Sequence, residues 1–251
     1  MDLIQNHALI TVIAFIMGLL FGSFATMASH RIPLGEELVF TPSHCPKCDH
    51  KLGFLDLFPV FSWLFNKGKC HYCKSPVHYR YPATELLMAS LFALQYWKLG
   101  FTLQCLALLL TTVCLVISFV VELERKMVSR LMILCLIPLG ILYKYSVNAE
   151  IIEYFAIPTM AFISLIIINH LYSTFKTHSS YKKNTILPND VTHFLIVILL
   201  FIEIENIIEF FSALTIISIT HYFLIKKTKK NLRSSVILSI IISLFFYNLM
   251  R

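Results

Sequence analysis

The sequence predicts an all-α fold: a polytopic membrane helical bundle of about eight spans, interrupted after the first span by a small polar module. Three observations lead there. Hydrophobic residues make up 57% of the 251-residue chain and charged residues only 14%, where a soluble domain carries about a quarter charged. Mean hydropathy is +0.75. The apolar residues gather in runs of membrane-crossing length, and one polar stretch between the first two runs holds two Cys-x-x-Cys pairs.

In chain order, the runs predict spans near 8–29, 82–97, 101–121, 128–147, 151–172, 191–207, 208–225 and 234–250. The second is short, and 191–225 also reads as one span plus a re-entrant piece. The first run lacks a basic start and a small-x-small cleavage site, so it reads as a retained helix rather than a signal peptide. Three regions follow: a first transmembrane helix over 1–29, a polar module over 30–81, and a helical bundle over 82–251.

Basic residues set the sidedness. The 30–81 loop holds Arg31, Lys47, Lys51, Lys67, Lys69, Lys74 and Arg80. The loops at 122–130, 173–190 and 226–233 are also basic, the last with Lys226, Lys227, Lys229, Lys230 and Arg233. The alternate connections are poorer, with Lys98, then Lys144, then the acidic Glu203, Glu205 and Glu209. With eight alternating spans, every basic loop falls on one side. The positive-inside rule makes that side the cytoplasm and puts both termini outside. The net charge of +7 is therefore a topology signal spread over short loops, and no nucleic-acid partner is expected.

The two pairs are Cys45-Pro46-Lys47-Cys48 and Cys70-His71-Tyr72-Cys73, with 21 residues between them. Each pair can wrap one side of a tetrahedral metal ion, and together they complete the shell. A reducing cytoplasm favours structural zinc on Cys45, Cys48, Cys70 and Cys73 over disulfides. Four thiolates leave no open position for catalysis. His44, His50, His71 and His78 flank the pairs and are expected to support them or face solvent. Cys105, Cys114 and Cys135 lie in apolar runs and read as core residues.

Candidate chemistry lies in the carboxylates at the cytoplasmic face. Asp190, in Leu187-Pro188-Asn189-Asp190, precedes an apolar run, and Glu122 and Glu124 sit where the third span ends. Two carboxylates at the mouth of a bundle can share a proton, one serving as base toward water and the other as acid. The same residues also read as a charged helix end beside Arg125 and Lys126, and as a helix N-cap at Asp190. His193 lies three residues beyond Asp190 on a neighbouring helix face.

A run of motifs resembles the type IV prepilin peptidase family. It comprises Gly22-Ser23-Phe24, His30-Arg31-Ile32-Pro33, Ser43-His44-Cys45-Pro46-Lys47-Cys48, Pro59-Val60-Phe61-Ser62-Trp63-Leu64, Lys67-Gly68-Lys69-Cys70-His71-Tyr72-Cys73, and Arg80-Tyr81-Pro82 with Glu85. The likeness is close over about residues 18 to 90 and elsewhere rests on span count and the two carboxylate positions. It implies a multi-pass aspartic endopeptidase of the bacterial inner membrane. Such an enzyme removes the basic leader of prepilin-like membrane proteins after a glycine, on the cytoplasmic face, and many then methylate the new N-terminus with S-adenosylmethionine. The resemblance places the family's first catalytic aspartate, in Asp-x-Asp, on Glu122-Leu123-Glu124. It places the second, in Gly-x-Gly-Asp, on Leu187-Pro188-Asn189-Asp190.

Both positions depart from the family pattern. The Glu122 carboxylate reaches about 1 Å farther than that of Asp, and a misplacement of that size costs on the order of a hundredfold in rate. Pro188 and Asn189 restrict backbone that glycine would leave free. The alternative is a catalytically degenerate relative, methyltransferase-only or a non-enzymatic binding and assembly protein. A zinc-stabilised membrane scaffold unrelated to pilins is a third reading, disfavoured by the flanking motifs.

Overall fold

The structure is a computed structural model and describes residues 2–38, 40–125 and 129–148; the four spans expected beyond residue 150 lie outside the described residues. The element order is α1 (Asp2–Arg31), a 3-10 turn (Ile32–Leu34), α2 (Phe61–Phe65), α3 (Arg80–Leu99), α4 (Leu103–Arg125) and α5 (Arg130–Ser146). Among the described residues there is no strand, only the isolated bridges His44–Lys51 and Lys69–Pro76. Helices cover the first four expected runs, with ends one to four residues from the expected ones except that α1 begins at Asp2. Two of them, α1 and α4, are long and apolar enough to cross a membrane. The chain divides into two compact units, Met1–Val121 and Glu122–Arg251.

The first unit is built on an antiparallel pair, α1 against α3. His7 near the start of α1 meets Tyr96 and Trp97 near the end of α3, with ring centroids 5.4 and 5.1 Å apart. Phe21 packs on Phe92 in the middle at 5.6 Å. Small residues make this approach possible. A Cβ on Gly18 would lie 2.5 Å from the Ala89 Cα, and one on Gly22 would lie 2.6 Å from the Glu85 Cα. Gly18 and Gly22 are four residues apart, so both face α3 and let the backbones touch. Ala25 and Ser29, fully buried, continue the same face.

The opposite face of α1 exposes Leu9, Val12, Ile13, Ile16, Met17, Leu20 and Phe24. Their spacing of three and four is one continuous helix stripe, apolar throughout. At about 1.5 Å per residue, the 30 residues of α1 span some 45 Å, more than a hydrocarbon core of about 30 Å.

Gly100, at φ +60°, ends α3, with its N–H donating to the Tyr96 carbonyl at 2.8 Å. The Thr102 hydroxyl then accepts from the Cys105 N–H at 3.1 Å and starts α4. Gln95 Nε2 donates to Thr112 Oγ1 at 2.7 Å and ties α3 to α4.

In the second unit, α5 carries Pro138 in its interior, where a backbone donor is missing. Lys98 and Lys144, expected as connection charges, sit instead in the last turns of α3 and α5, where the helix dipole favours cations. Lys144 is fully buried.

Candidate metal centre and carboxylate positions

The polar module lies between the C-terminal end of α1 and the N-terminal end of α3, and its two knuckles repeat each other at an offset of 25 residues. In the first, the Cys45 N–H donates to the His50 carbonyl (3.0 Å), the Asp49 N–H to the Cys45 carbonyl (2.8 Å) and the Leu52 N–H to the Ser43 carbonyl (2.8 Å). In the second, Cys70 N–H donates to Ser75 (2.8 Å), Lys74 N–H to Cys70 (3.1 Å) and Val77 N–H to Gly68 (2.7 Å). Asp49 and Lys74, each one residue past the second cysteine of its pair, share the same φ of +58°. This left-handed step turns the chain so that both sulfurs of a pair face one point. Asp tolerates it better than Lys, since its short side chain bonds locally.

The four sulfurs of Cys45, Cys48, Cys70 and Cys73 all lie within 4.8 Å of one another. None of the seven cysteines is in a disulfide. Cys45 Sγ and Cys73 Sγ are 3.9 Å apart, far beyond a disulfide bond. That separation matches the edge of a tetrahedron with Zn–S bonds of about 2.3 Å, which is ~3.8 Å. The donor set thus fits a metal ion that takes four thiolates. Cys45 and Cys70 are buried, while Cys48 and Cys73 are exposed.

Local donors already bias two of the sulfurs toward charge. The backbone amides of Lys47 and Cys48 hold the Cys45 thiol below its ordinary range. The Ser75 hydroxyl, 3.0 Å from Cys73 Sγ, and the Ser75 amide bring Cys73 down to about 6. At Cys48 the His50 amide also lowers the pKa, but loss of solvent and the neighbouring Cys73 and Cys45 sulfurs outweigh it and push the thiol up to about 11. A divalent cation would replace the protons these crowded sulfurs otherwise compete for.

The flanking motifs hold the knuckles in place. Trp63 Nε1 donates to the Val77 carbonyl at 2.9 Å, and its ring lies so close that a Cβ on Gly68 would meet Cζ2 at 2.9 Å. Gly68 also sits at φ +70°, so glycine is required there twice over. His50 stacks on Tyr72 across the knuckles at 3.6 Å, and Tyr72 Oη donates to Asp56 at 3.0 Å, which raises the tyrosine's pKa. His71 Nδ1 pairs with Asn66 Oδ1 at 3.2 Å, His78 Nδ1 accepts from the Arg80 N–H at 3.1 Å, and His44 lies 3.9 Å from Asp49. The histidines therefore engage the surroundings of the thiol cluster.

Two contacts fasten the module to the helix pair. The buried Arg31 guanidinium, at the end of α1, donates to the carbonyls of Glu37, Thr41 and Pro42 at 3.1, 2.8 and 3.2 Å. Glu85, buried in α3, accepts the Val60 N–H at 2.7 Å. Charge counting put Arg31 in a loop, but its side chain is the clamp between helix and loop.

Of the expected catalytic carboxylates, Glu122 lies in the last turn of α4 and is buried, 3% exposed. Glu124 is partly exposed nearby in sequence. Asp190 and His193 lie outside the described residues.

The fold and the site define a class: a helical chain with apolar helices of membrane-crossing length that carries a four-cysteine module able to hold a metal. Residues 16–99, which contain that module, match the family described as Bacterial Peptidase A24 N-terminal domain. The prepilin leader peptidase/N-methyltransferase of Bacillus subtilis is 34% identical over 126 residues, 50% of this chain and 51% of the relative. That of Pseudomonas aeruginosa is 32% identical over 166 residues, 57% of each chain. That of Stutzerimonas stutzeri is 29% identical over 163 residues, 56% of each chain. The chain spans about half the length of the curated relatives it matches. No solved structure matches. The N-terminal half of the chain is thus similar to prepilin leader peptidases, and residues 16–99 carry the match to their N-terminal domain.

Proposed function

We propose that this protein is a membrane-embedded aspartic endopeptidase that removes the leader of type IV prepilin-like proteins at the cytoplasmic face. The reading rests on one observation above others: the four-cysteine module and its flanks lie inside the region that matches the peptidase family. The relatives' names carry the leader-peptidase activity. The distribution of basic residues supports a multi-pass protein of the bacterial inner membrane with module and active site on the cytoplasmic side.

In this reading, Glu122 and Asp190 form the acid pair within a peptidase-like bundle over 82–251. One carboxylate, ionised, takes a proton from water as the oxygen adds to the scissile carbonyl. The other, protonated, first hydrogen-bonds the carbonyl oxygen. The leaving amine then receives a proton as the C–N bond breaks. The burial of Glu122 supports such a role, since a charged residue that merely ends a helix would face solvent.

Zinc on Cys45, Cys48, Cys70 and Cys73 would supply structure only, because four thiolates close its shell. The module so held would help form the site for the substrate or for S-adenosylmethionine, if N-methylation of the new N-terminus is retained. The test is to co-express the full chain with a prepilin-like substrate and read leader removal by mass spectrometry. Processing is expected, and it should vanish in Asp190→Asn; processing that survives that change overturns the assigned pair.

A second reading is favoured by a specific observation: Glu122 stands where the resemblance places aspartate, and Leu187 and Asn189 where it places glycine. It makes the chain a methyltransferase-only or non-enzymatic binding and assembly relative, and it predicts substrate binding without cleavage.

A further inference from the structure

The segment between the knuckles exposes a continuous aromatic strip. Phe54, Phe58, Phe61 and Phe65 follow one another ring to ring, with centroids 6.4, 5.6 and 6.5 Å apart. Phe54 is 80% exposed, and Leu55 and Phe65 are each 81% exposed. Side chains this exposed project as knobs; the lining of a peptide groove would be shielded by its own rims. A contiguous apolar surface of this kind is not left in water without a use.

Its position in the fold says what covers it. The Val60 N–H, one residue before the strip's helix α2, is bonded to the Glu85 side chain. Glu85 in turn packs directly on Gly22 of α1. The strip is thus tethered within a side-chain length of the level of Gly22. On α1, the next charged or titratable residue after that level is His30, eight residues and about 12 Å farther along. At the tether, the outward face of α1 still shows Leu20 and Phe24, part of its apolar stripe. The middle of the aromatic strip is therefore held at a depth where the outward face of the neighbouring helix is apolar.

Charge agrees with this. Lys51 precedes the strip, and Lys67 and Lys69 follow it. Asp56, the acid within it, is engaged by the Gly53 N–H and the Tyr72 hydroxyl, at 3.0 Å each. Lysines bracketing an apolar strip, with its one carboxylate hydrogen-bonded, suit an anionic headgroup layer.

We propose that Phe54–Phe65 is an interfacial element that inserts its aromatic strip into the acyl boundary of the leaflet beside the α1–α3 pair, anchoring the thiol module flat against the bilayer. The occupant is lipid, not a protein partner. The inference requires only that α1 crosses a membrane, and its test uses neither substrate nor activity, so it can fail or hold independently of the peptidase reading.

The experiment uses the full natural chain in nanodiscs of phosphatidylethanolamine and phosphatidylglycerol, doped with a lipid that carries a photoactivatable group on its acyl chain. After illumination, adducts are mapped by peptide mass spectrometry. Adducts on 54–65 should exceed those on the knuckle segments 43–52 and 68–77 by at least about fivefold. Equal labelling of these segments, or labelling confined to α1, α3 and α4, overturns the proposal. In a second arm, Phe54→Ser with Phe65→Ser, checked for unchanged metal content, should lose more than about half of the labelling on 54–65 while that on α1 is unchanged. Undiminished labelling of 54–65 in that variant also overturns it.

Discussion

The thiol module and the acidic end of α4 carry their information in opposite ways. In the module, three backbone hydrogen bonds, one left-handed step and two sulfurs are repeated at an offset of 25 residues. Trp63, Tyr72, Arg31 and Glu85 then fasten the repeat to its surroundings. At the end of α4, the proposed chemistry depends on one side chain, Glu122, and on a partner 68 positions away at Asp190. A redundant scaffold keeps a recognisable pattern because many weak constraints must fail together. A reacting pair has no such reserve, and a single methylene alters it. This is why the module carries the family likeness, and why the question of activity sits elsewhere in the chain.

The largest expected effect comes from emptying the module. Structural zinc contributes about 10–16 kcal/mol of apparent binding energy in small thiolate domains, more than a segment this size can replace by packing. Cys45→Ser, or a strong chelator, should abolish metal binding and open the module. Metal analysis of the purified chain reads the first outcome. Limited trypsin cleavage at Lys47, Lys51, Lys67, Lys69 and Lys74 reads the second. A module equally protected from trypsin without metal would show that the backbone repeat stands on its own contacts.

The carboxylates should behave in the reverse manner, with activity lost and structure kept. Asp190→Asn is expected to lower leader cleavage by at least ~10³-fold, in the range of a lost acid or base. Metal content and tryptic protection of the module should not change. A parallel loss of both would mean that Asp190 supports the fold, as an N-cap does, rather than the reaction.

Glu122→Asp sharpens the comparison further. If the extra methylene misplaces the carboxylate by about 1 Å, shortening it should raise the cleavage rate by up to about a hundredfold. A drop in rate instead would show that the surrounding site has been reshaped around glutamate. Single-turnover cleavage, which separates chemistry from release, is the suitable measurement.

How much of this was legible beforehand follows the same division. The four described long helices were readable from their apolar runs, but only α1 and α4 among them are long and apolar enough to meet the fixed length that a membrane crossing demands. The metal ligands were readable because Cys-x-x-Cys spacing is fixed by the geometry of a single ion. What escaped was tertiary. Gly18 and Gly22 form a small-x-x-x-small pattern in the first apolar run, a signal that was present and pointed to the close contact with α3. Arg31 counted as loop charge because nothing local shows that its guanidinium turns back onto three carbonyls. Glu85 appeared only as part of a motif. Its partner is a backbone N–H 25 residues earlier, which no side-chain pattern encodes.

That contact is the basis of the smallest predicted effect. Val60 adopts φ +61°, ψ −50°, with the Phe61 N–H donating to the Pro59 carbonyl at 2.6 Å. This is a γ-turn of the strained hand, centred on a β-branched residue, and it costs on the order of 1–3 kcal/mol. The Glu85 carboxylate offsets part of that cost by accepting the Val60 N–H in a buried setting. Glu85→Ala leaves the donor unsatisfied and should destabilise the first unit by about 1–3 kcal/mol. Glu85→Gln keeps an acceptor oxygen of the same reach and should cost less than about 1 kcal/mol. Thermal unfolding in one detergent, compared across the two variants, reads the difference. The same pair tests the tether of the aromatic strip: Glu85→Ala should reduce lipid labelling of 54–65, whereas Glu85→Gln should preserve it. Equal behaviour of the two variants would mean that the knuckle module is held to α3 by something other than this hydrogen bond.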